Sequence, residues 1–208
     1  MNKLAKAVRV MTIPPILAFI VATVFISTNS LALGGLRQYI AMIVFLTLFP
    51  ALAYPLQPLL PKYKDKGREG QRELAFIASV AGYMCGVAFA LASRAPATAQ
   101  LMYWTYMASV VFLSAFNAFT PWKASGHACG VAGPICALVW LYGARAWPAV
   151  AVFFLMAWSS LKLKRHGALE IALGSLASIS AFCLVLSIIT RVQPHSLAMA
   201  IAALAFLQ

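Results

Sequence analysis

Acidic residues are almost missing from this chain: 208 residues hold four, Asp65, Glu69, Glu73 and Glu170, against sixteen lysines and arginines. Charged residues of both signs make up 10% of it and hydrophobic residues 63%, whereas soluble domains carry about 25% charged residues. That balance excludes a soluble globular domain and implies an integral membrane protein. Segments of about ten residues with alternating polarity, the mark of a membrane β-barrel, are missing too. Cysteine pairs are absent as well: Cys85, Cys129, Cys136 and Cys183 lie in apolar segments and no two form Cys-x-x-Cys. Neither a zinc site nor a disulfide framework is expected; small thiols filling helix contacts are.

What is there is a series of apolar runs of about twenty residues, broken by short polar knots, as in helices that cross a bilayer. The fold class expected is all-α, a polytopic transmembrane helical bundle of about six to eight spans. The runs fall at 11–33, 38–56, 73–93, 99–119, 126–144, 147–161, 168–190 and 196–208. The basic, then apolar N-terminus resembles a signal peptide. Its apolar part is long enough to stay as a span, and the small-residue cleavage signal after it is poor. No internal repeat or low-complexity linker divides the chain, so 1–208 reads as one domain.

Threading these runs through a bilayer puts twelve of the sixteen basic residues on the side of the N-terminus, leaving Arg37, Arg94, Arg145 and Arg191 opposite. Lysine and arginine are retained on the cytoplasmic face, so the first side is expected to be cytoplasmic in a prokaryotic cell membrane. All four acids fall on that side, with His127 and His166; His195 falls on the other. Acids contribute little to orientation. Their gathering with two histidines calls for a second reason.

Three loops on that side, "PKYKDKGREGQREL" (61–74), "TPWKASGHACG" (120–130) and "LKLKRHGALE" (161–170), each end where a helix is expected to begin. Helix starts offer unpaired N–H groups and partial positive charge, which suit an anion. In the middle loop Ser125 is placed to cap a helix, Gly126 lets a ligand approach the backbone, and His127 can exchange a proton near neutral pH. A capping serine followed by an interfacial histidine accounts equally well for that loop alone. In the third loop His166 and Glu170 are four apart, so the carboxylate can hold one ring nitrogen and leave the other as a nucleophile. The plain alternative is a solvated i,i+4 pair, yet an acid opening an otherwise apolar helix marks a candidate functional site.

Lys-x-Ser-x-His at 123–127, followed by His166, Glu170 and Gly174 in "WSSLKLKRHGALEIALG" (158–174), resembles the second and third motifs of the type-two phosphatidic acid phosphatase superfamily. The resemblance covers about residues 55–190 and implies a helical membrane phosphatase that needs no metal or other cofactor. It implies His166 as the nucleophile, Glu170 as its orienting acid, and His127 as the general acid and base. Lys123, Ser125 and the Gly126 backbone would hold phosphoryl oxygens, with Lys62, Arg68 and Arg72 adding positive charge. The expected partners are the bilayer and a lipid phosphate or polyprenyl (di)phosphate, with no nucleic acid. The pattern departs from the family in three places. Ser160 stands where the family has its third-motif arginine, with Lys162 and Arg165 as the nearby cations. Glutamate replaces aspartate at 170. The first motif is loose, Lys62 and Arg68 being six apart rather than seven, with no Arg-Pro after them. Two spans separate that loop from the second motif, as in a divergent prokaryotic branch.

Two other readings stay open. A non-catalytic lipid-phosphate binder would use the same anion cup, and a lipid phosphotransferase the same residues with another hydroxyl in place of water. A small transporter would need a buried polar path, and these runs offer mainly Asn117, serines and threonines.

Overall fold

The computed structural model describes residues 2–195 and 198, and the described residues hold helices and no strand. The rods are α1 (Asn2–Met11), α2 (Pro14–Thr28), α3 (Gly35–Leu59), α4 (Gly67–Ala92), α5 (Ala97–Phe119), α6 (Gly126–Tyr142), α7 (Trp147–Lys162) and α8 (Ala168–Val192). Rods α2 to α8 occupy the first seven expected apolar runs; the eighth, 196–208, lies outside the described residues apart from Ala198.

Four helical stretches are long and apolar enough to cross a membrane: Gly35–Leu59, Lys64–Ala92, Gly126–Lys162 and Ala168–Val192. Helices α1 and α2 together make a fifth if counted as one bent span. The stretch Gly126–Lys162 folds back on itself. Gly143 sits at φ +54, a conformation that glycine adopts without strain, and Pro148 opens α7 just beyond it. The end of α7 therefore returns to the start of α6, where the Ser125 N–H donates to the Glu170 carbonyl at 2.8 Å.

The expected first span, 11–33, is corrected by the structure. Pro14 and Pro15 start a new helix, and Ile13 before them is extended (φ −61, ψ 145), because proline's ring disfavours a helical residue ahead of it. The basic head is thus its own helix, α1, bent 52° from α2. It buries Ala5, exposes Lys3, Lys6 and Leu4, and packs against α7. Prolines shape α3 as well. Pro50 lacks the N–H an α-helix would use, and the turn before it widens to π spacing over Ile43–Leu48, with Phe49 N–H reaching the Val44 carbonyl.

Helix α8 is the central rod and packs along both α5 and α6. Contact between α6 and α8 is close because a Cβ on Gly133 would strike the Ser178 hydroxyl. A larger core surrounds it, with Phe25, Met42, Leu101, Tyr103 and Phe182 buried together. One end of the bundle collects the starts of α4, α6 and α8 with the ends of α1 and α7. The opposite end holds Arg37, Arg94, Arg145 and Arg191, with Gln38 bonded to Ser93 at 2.8 Å and Arg37 over the Phe89 ring.

Candidate active site

His166 lies just ahead of α8, whose N-cap is Gly167. Its Nδ1 is 3.0 Å from Glu170 Oε2, and the same oxygen accepts the Gly167 N–H at 3.0 Å. The expected face-to-face pair on a helix start is corrected in one respect: His166 precedes the helix, and Glu170 reaches back to it as the third-position acid of a cap. Since a carboxylate only accepts, the ring hydrogen sits on Nδ1 and Nε2 carries the lone pair. The His166 side chain is 9% exposed. Burial pushes its imidazole below the ordinary histidine value; Glu170 pulls it upward, and Arg72 and Arg9 reinforce the burial effect.

His127 is the second residue of α6, behind Ser125, whose hydroxyl caps the helix by accepting the Ala128 N–H at 3.2 Å. The loop before it is tied down by Asn117, whose side-chain oxygen accepts the Ala124 N–H at 2.7 Å. Its ring is held from the far side of the sequence: Nε2 lies 3.1 Å from the Thr12 hydroxyl. Thr12 donates its one hydrogen to the Val8 carbonyl at 2.9 Å, so the ring must donate through Nε2, leaving Nδ1 as its acceptor. Gly130 makes this contact possible. It stands one turn beyond His127 on the same helix face, and a Cβ there would meet the Pro14 ring at 2.5 Å. Gly174 does the same for α8, because a Cβ at 174 would run into the Ser125 backbone. Two close approaches through glycine, Gly130 on Pro14 and Gly174 on Ser125, thus bring the corner between α1 and α2 and the starts of α6 and α8 to one point. There His127 and His166 lie within electrostatic reach of each other.

The cations divide into two sets. Arg9 and Arg72 act on His166; Arg9 also acts on His127, and Arg68 and Arg72 lie near enough to Arg9 to repel it. Lys62 turns the other way, to Glu73 at 3.9 Å and the Tyr63 ring, with Lys66 on the same carboxylate at 3.1 Å. Lys123 and Lys162 are exposed and Arg165 is half-buried; none of the three pairs with a side chain among the described residues. Of the residues expected to bind phosphate, Ser125 and Gly126 stand beside His127 and Arg72 acts on His166, whereas Arg68 lies near Arg9 and Lys62 turns to Glu73. Gly126 is open, with only a Leu113 methyl 3.6 Å from where a Cβ would stand.

Residue 160 meets the guanidinium of Arg9 rather than the side chain of Lys162 or Arg165. Ser160 is fully buried, and its hydroxyl accepts a hydrogen bond from Arg9 Nη1 at 2.9 Å. Arg9 and Thr12 are the residues that sequence reasoning misses, because membrane orientation alone accounts for a basic head. The Ile-Pro-Pro break at 13–15 is the available sign that Arg9 and Thr12 belong to a separate helix.

A cavity of about 720 Å³ lies between α2, α6 and α7, with Arg145 and Tyr142 at its polar end. Along α6 the packed residues Ala128 and Val131 separate His127 from Pro134, where the cavity wall begins. Among the described residues no three of His, Cys, Asp and Glu cluster as metal ligands. No family model, no curated protein and no solved structure matches the chain.

Proposed function

We propose that the chain is a metal-independent membrane phosphatase of the type-two phosphatidic acid phosphatase kind, hydrolysing a lipid or isoprenoid phosphate or diphosphate. The observation that carries this reading is the pair of histidines at one end of the bundle, each with its hydrogen assigned by a partner, within reach of Arg9 and Arg72. Glu170 keeps the hydrogen on His166 Nδ1, and the Nε2 lone pair attacks phosphorus. The N–P bond forms as the bond from phosphorus to the lipid oxygen breaks, and protonated His127 gives its Nδ1 hydrogen to the departing alkoxide. An arriving phosphate dianion favours that protonated imidazole. Water then attacks the phosphohistidine while neutral His127 takes its proton. The N–P bond breaks, releasing inorganic phosphate and restoring His166.

We read the bundle as inserted in a membrane through six to eight spans in all; the four helical stretches long and apolar enough to cross a bilayer, and the outer surface, support insertion. Ile77, Met84, Val111, Phe154, Leu176 and Leu184 are all exposed in mid-helix, far more apolar surface than a soluble monomer shows. The site then lies at one membrane interface, where a substrate keeps its tail in lipid and its phosphate in the cationic hollow. The basic excess on that face favours the cytoplasmic side of a prokaryotic cell membrane.

The test uses purified protein in detergent with chelator present. Phosphate release from a lipid phosphate is expected, and His166→Ala and His127→Ala should each remove it, by about 10³-fold or more, while Lys64→Ala leaves it unchanged. Turnover that requires added metal, or that survives loss of both histidines, overturns the reading. A non-catalytic lipid-phosphate binder is the second reading, favoured by the serine at 160. It prevails if the parent protein binds lipid phosphates and turns none over.

A further inference from the structure

From its position we infer that Arg9, on the N-terminal helix α1, is the guanidinium that clamps the substrate's phosphoryl group, reaching from outside the α4–α8 bundle into the place that residue 160 leaves empty. This deepens the phosphatase reading and rests on it for the identity of the ligand.

Three observations converge on Arg9. The first is geometric. Its Nη1 donates to Ser160 Oγ at 2.9 Å, and Ser160 is tied to the histidine loop because its carbonyl accepts the Arg165 N–H at 3.0 Å. The guanidinium therefore stands at a fixed offset from His166. It also lies within electrostatic reach of both His166 and His127. Ser160 takes up one of the five N–H donors of an arginine. The planar fork that matches two phosphate oxygens is left with donors to spare.

The second is the absence of a counter-charge. Arg9 is half-buried, yet among the described residues no acid pairs with it. Glu73 is taken by Lys62 and Lys66, and Glu170 by His166. Its charged neighbours are Arg68 and Arg72, which repel it. A half-desolvated cation held among like charges is costly unless an anion joins them. A phosphate dianion at the histidines supplies what the cluster lacks.

The third is the way α1 is anchored. Thr12 of the same corner holds His127, and Pro14 fits over Gly130. The contact that sets the His127 ring thus also sets the approach of Arg9, three residues earlier. Docking of α1 completes the site; without it the hollow keeps its histidines and loses its clamp.

The experiment is a rescue. Arg9→Ala should lower phosphate release from a soluble short-chain lipid phosphate by about 10²–10³-fold, the cost of losing one donor to developing charge. Arg9→Lys should recover only part of it, since a lysine lacks the fork. Placing arginine at 160 in the Arg9→Ala background, as Arg9→Ala with Ser160→Arg, should recover most of it by returning a guanidinium to the same space. Lys6→Ala, on the exposed side of α1, should match the parent. Calorimetric titration with inorganic phosphate runs alongside, and Arg9→Ala should weaken binding at least ten-fold. Parent-like turnover in Arg9→Ala overturns the clamp and leaves the phosphatase reading intact. A parent that binds phosphate through Arg9 but releases none from any lipid phosphate keeps the clamp and overturns the phosphatase. A parent that fails to bind phosphate, or binds it no better than Arg9→Ala does, overturns the clamp.

Discussion

His166 and His127 meet at one end of the bundle, but they are held in different ways. His166 takes its orientation from Glu170, four residues on, inside a single cap that also satisfies the Gly167 N–H. His127 takes its orientation from Thr12, 115 positions away in the chain, across a contact between separate helices. The first arrangement forms as soon as α8 starts. The second exists only when α1, α2 and α6 have packed, with Gly130 seated on Pro14. A local partner gives a histidine whose orientation comes from its own helix cap; a distant partner gives one whose orientation comes from docking. The two should therefore respond to different perturbations.

Glu170→Gln breaks the local side of this contrast and has the largest expected effect. Glutamine still serves at the third position of a helix cap, so the fold should stand while the negative charge is lost. Phosphate release should fall by about 10²-fold or more. Its pH profile should move as well. On the proposed mechanism nucleophilic attack needs the neutral His166 ring, so the acid limb of kcat/KM should follow the pKa of that group. Burial already lowers this pKa and Glu170 opposes the lowering. Removing the carboxylate should therefore carry the acid limb to lower pH. An acid limb that stays in place, or moves upward, would show that His166 is not the titrating group.

Thr12→Val breaks the distant side while nearly keeping the shape of the residue. His127 loses the acceptor for its Nε2 hydrogen, and about a ten-fold fall in kcat with little change in KM is expected. Thr12→Ser should restore the rate because it restores the oxygen. A fall in Thr12→Val that serine does not repair would mean that packing at the corner, rather than the hydrogen bond, matters. The acid limb that answers to Glu170 should not respond to Thr12.

The smallest effect on turnover per unit of destabilisation belongs to Gly174, where the contrast is sharpened through stability. A methyl group at 174 runs into the Ser125 backbone, and overpacking of this kind costs about 1–3 kcal/mol. Gly174→Ala should lower the thermal midpoint and separate the two helix starts. Gly126→Ala, one residue past Ser125, meets only a methyl at 3.6 Å and should keep the midpoint close to the parent's. Equal midpoints in the two variants would remove the close approach from the account of how the site is assembled.

Much of this is legible in the residues alone. Apolar run lengths locate seven of the rods, because crossing a bilayer demands about twenty apolar residues and the interruptions are abrupt. Ser125 as a cap and His166 with Glu170 are legible because each depends on residues within four positions. The first span reads as continuous when it is not: hydropathy does not register that Pro14 and Pro15 end one helix by starting another. Arg9 reads as an orientation signal because any basic residue near the N-terminus fits that role equally well. Lys123, Lys162 and Arg165 fall into the expected site by nearness in sequence, yet none of them pairs with a side chain among the described residues.

The sequence by itself determined a helical, apolar, basic chain, the ends of most of its rods, and a histidine with its own acid. These follow from periodicity, run length and four-residue reach, all of them local properties. Only the tertiary structure decided which face of α1 turns inward, that Arg9 rather than a neighbour on α7 meets Ser160, and that Thr12 holds His127. Those contacts join residues more than a hundred positions apart, and the one at Thr12 relies on Gly130, which lets Pro14 approach α6 more closely than any side chain would permit.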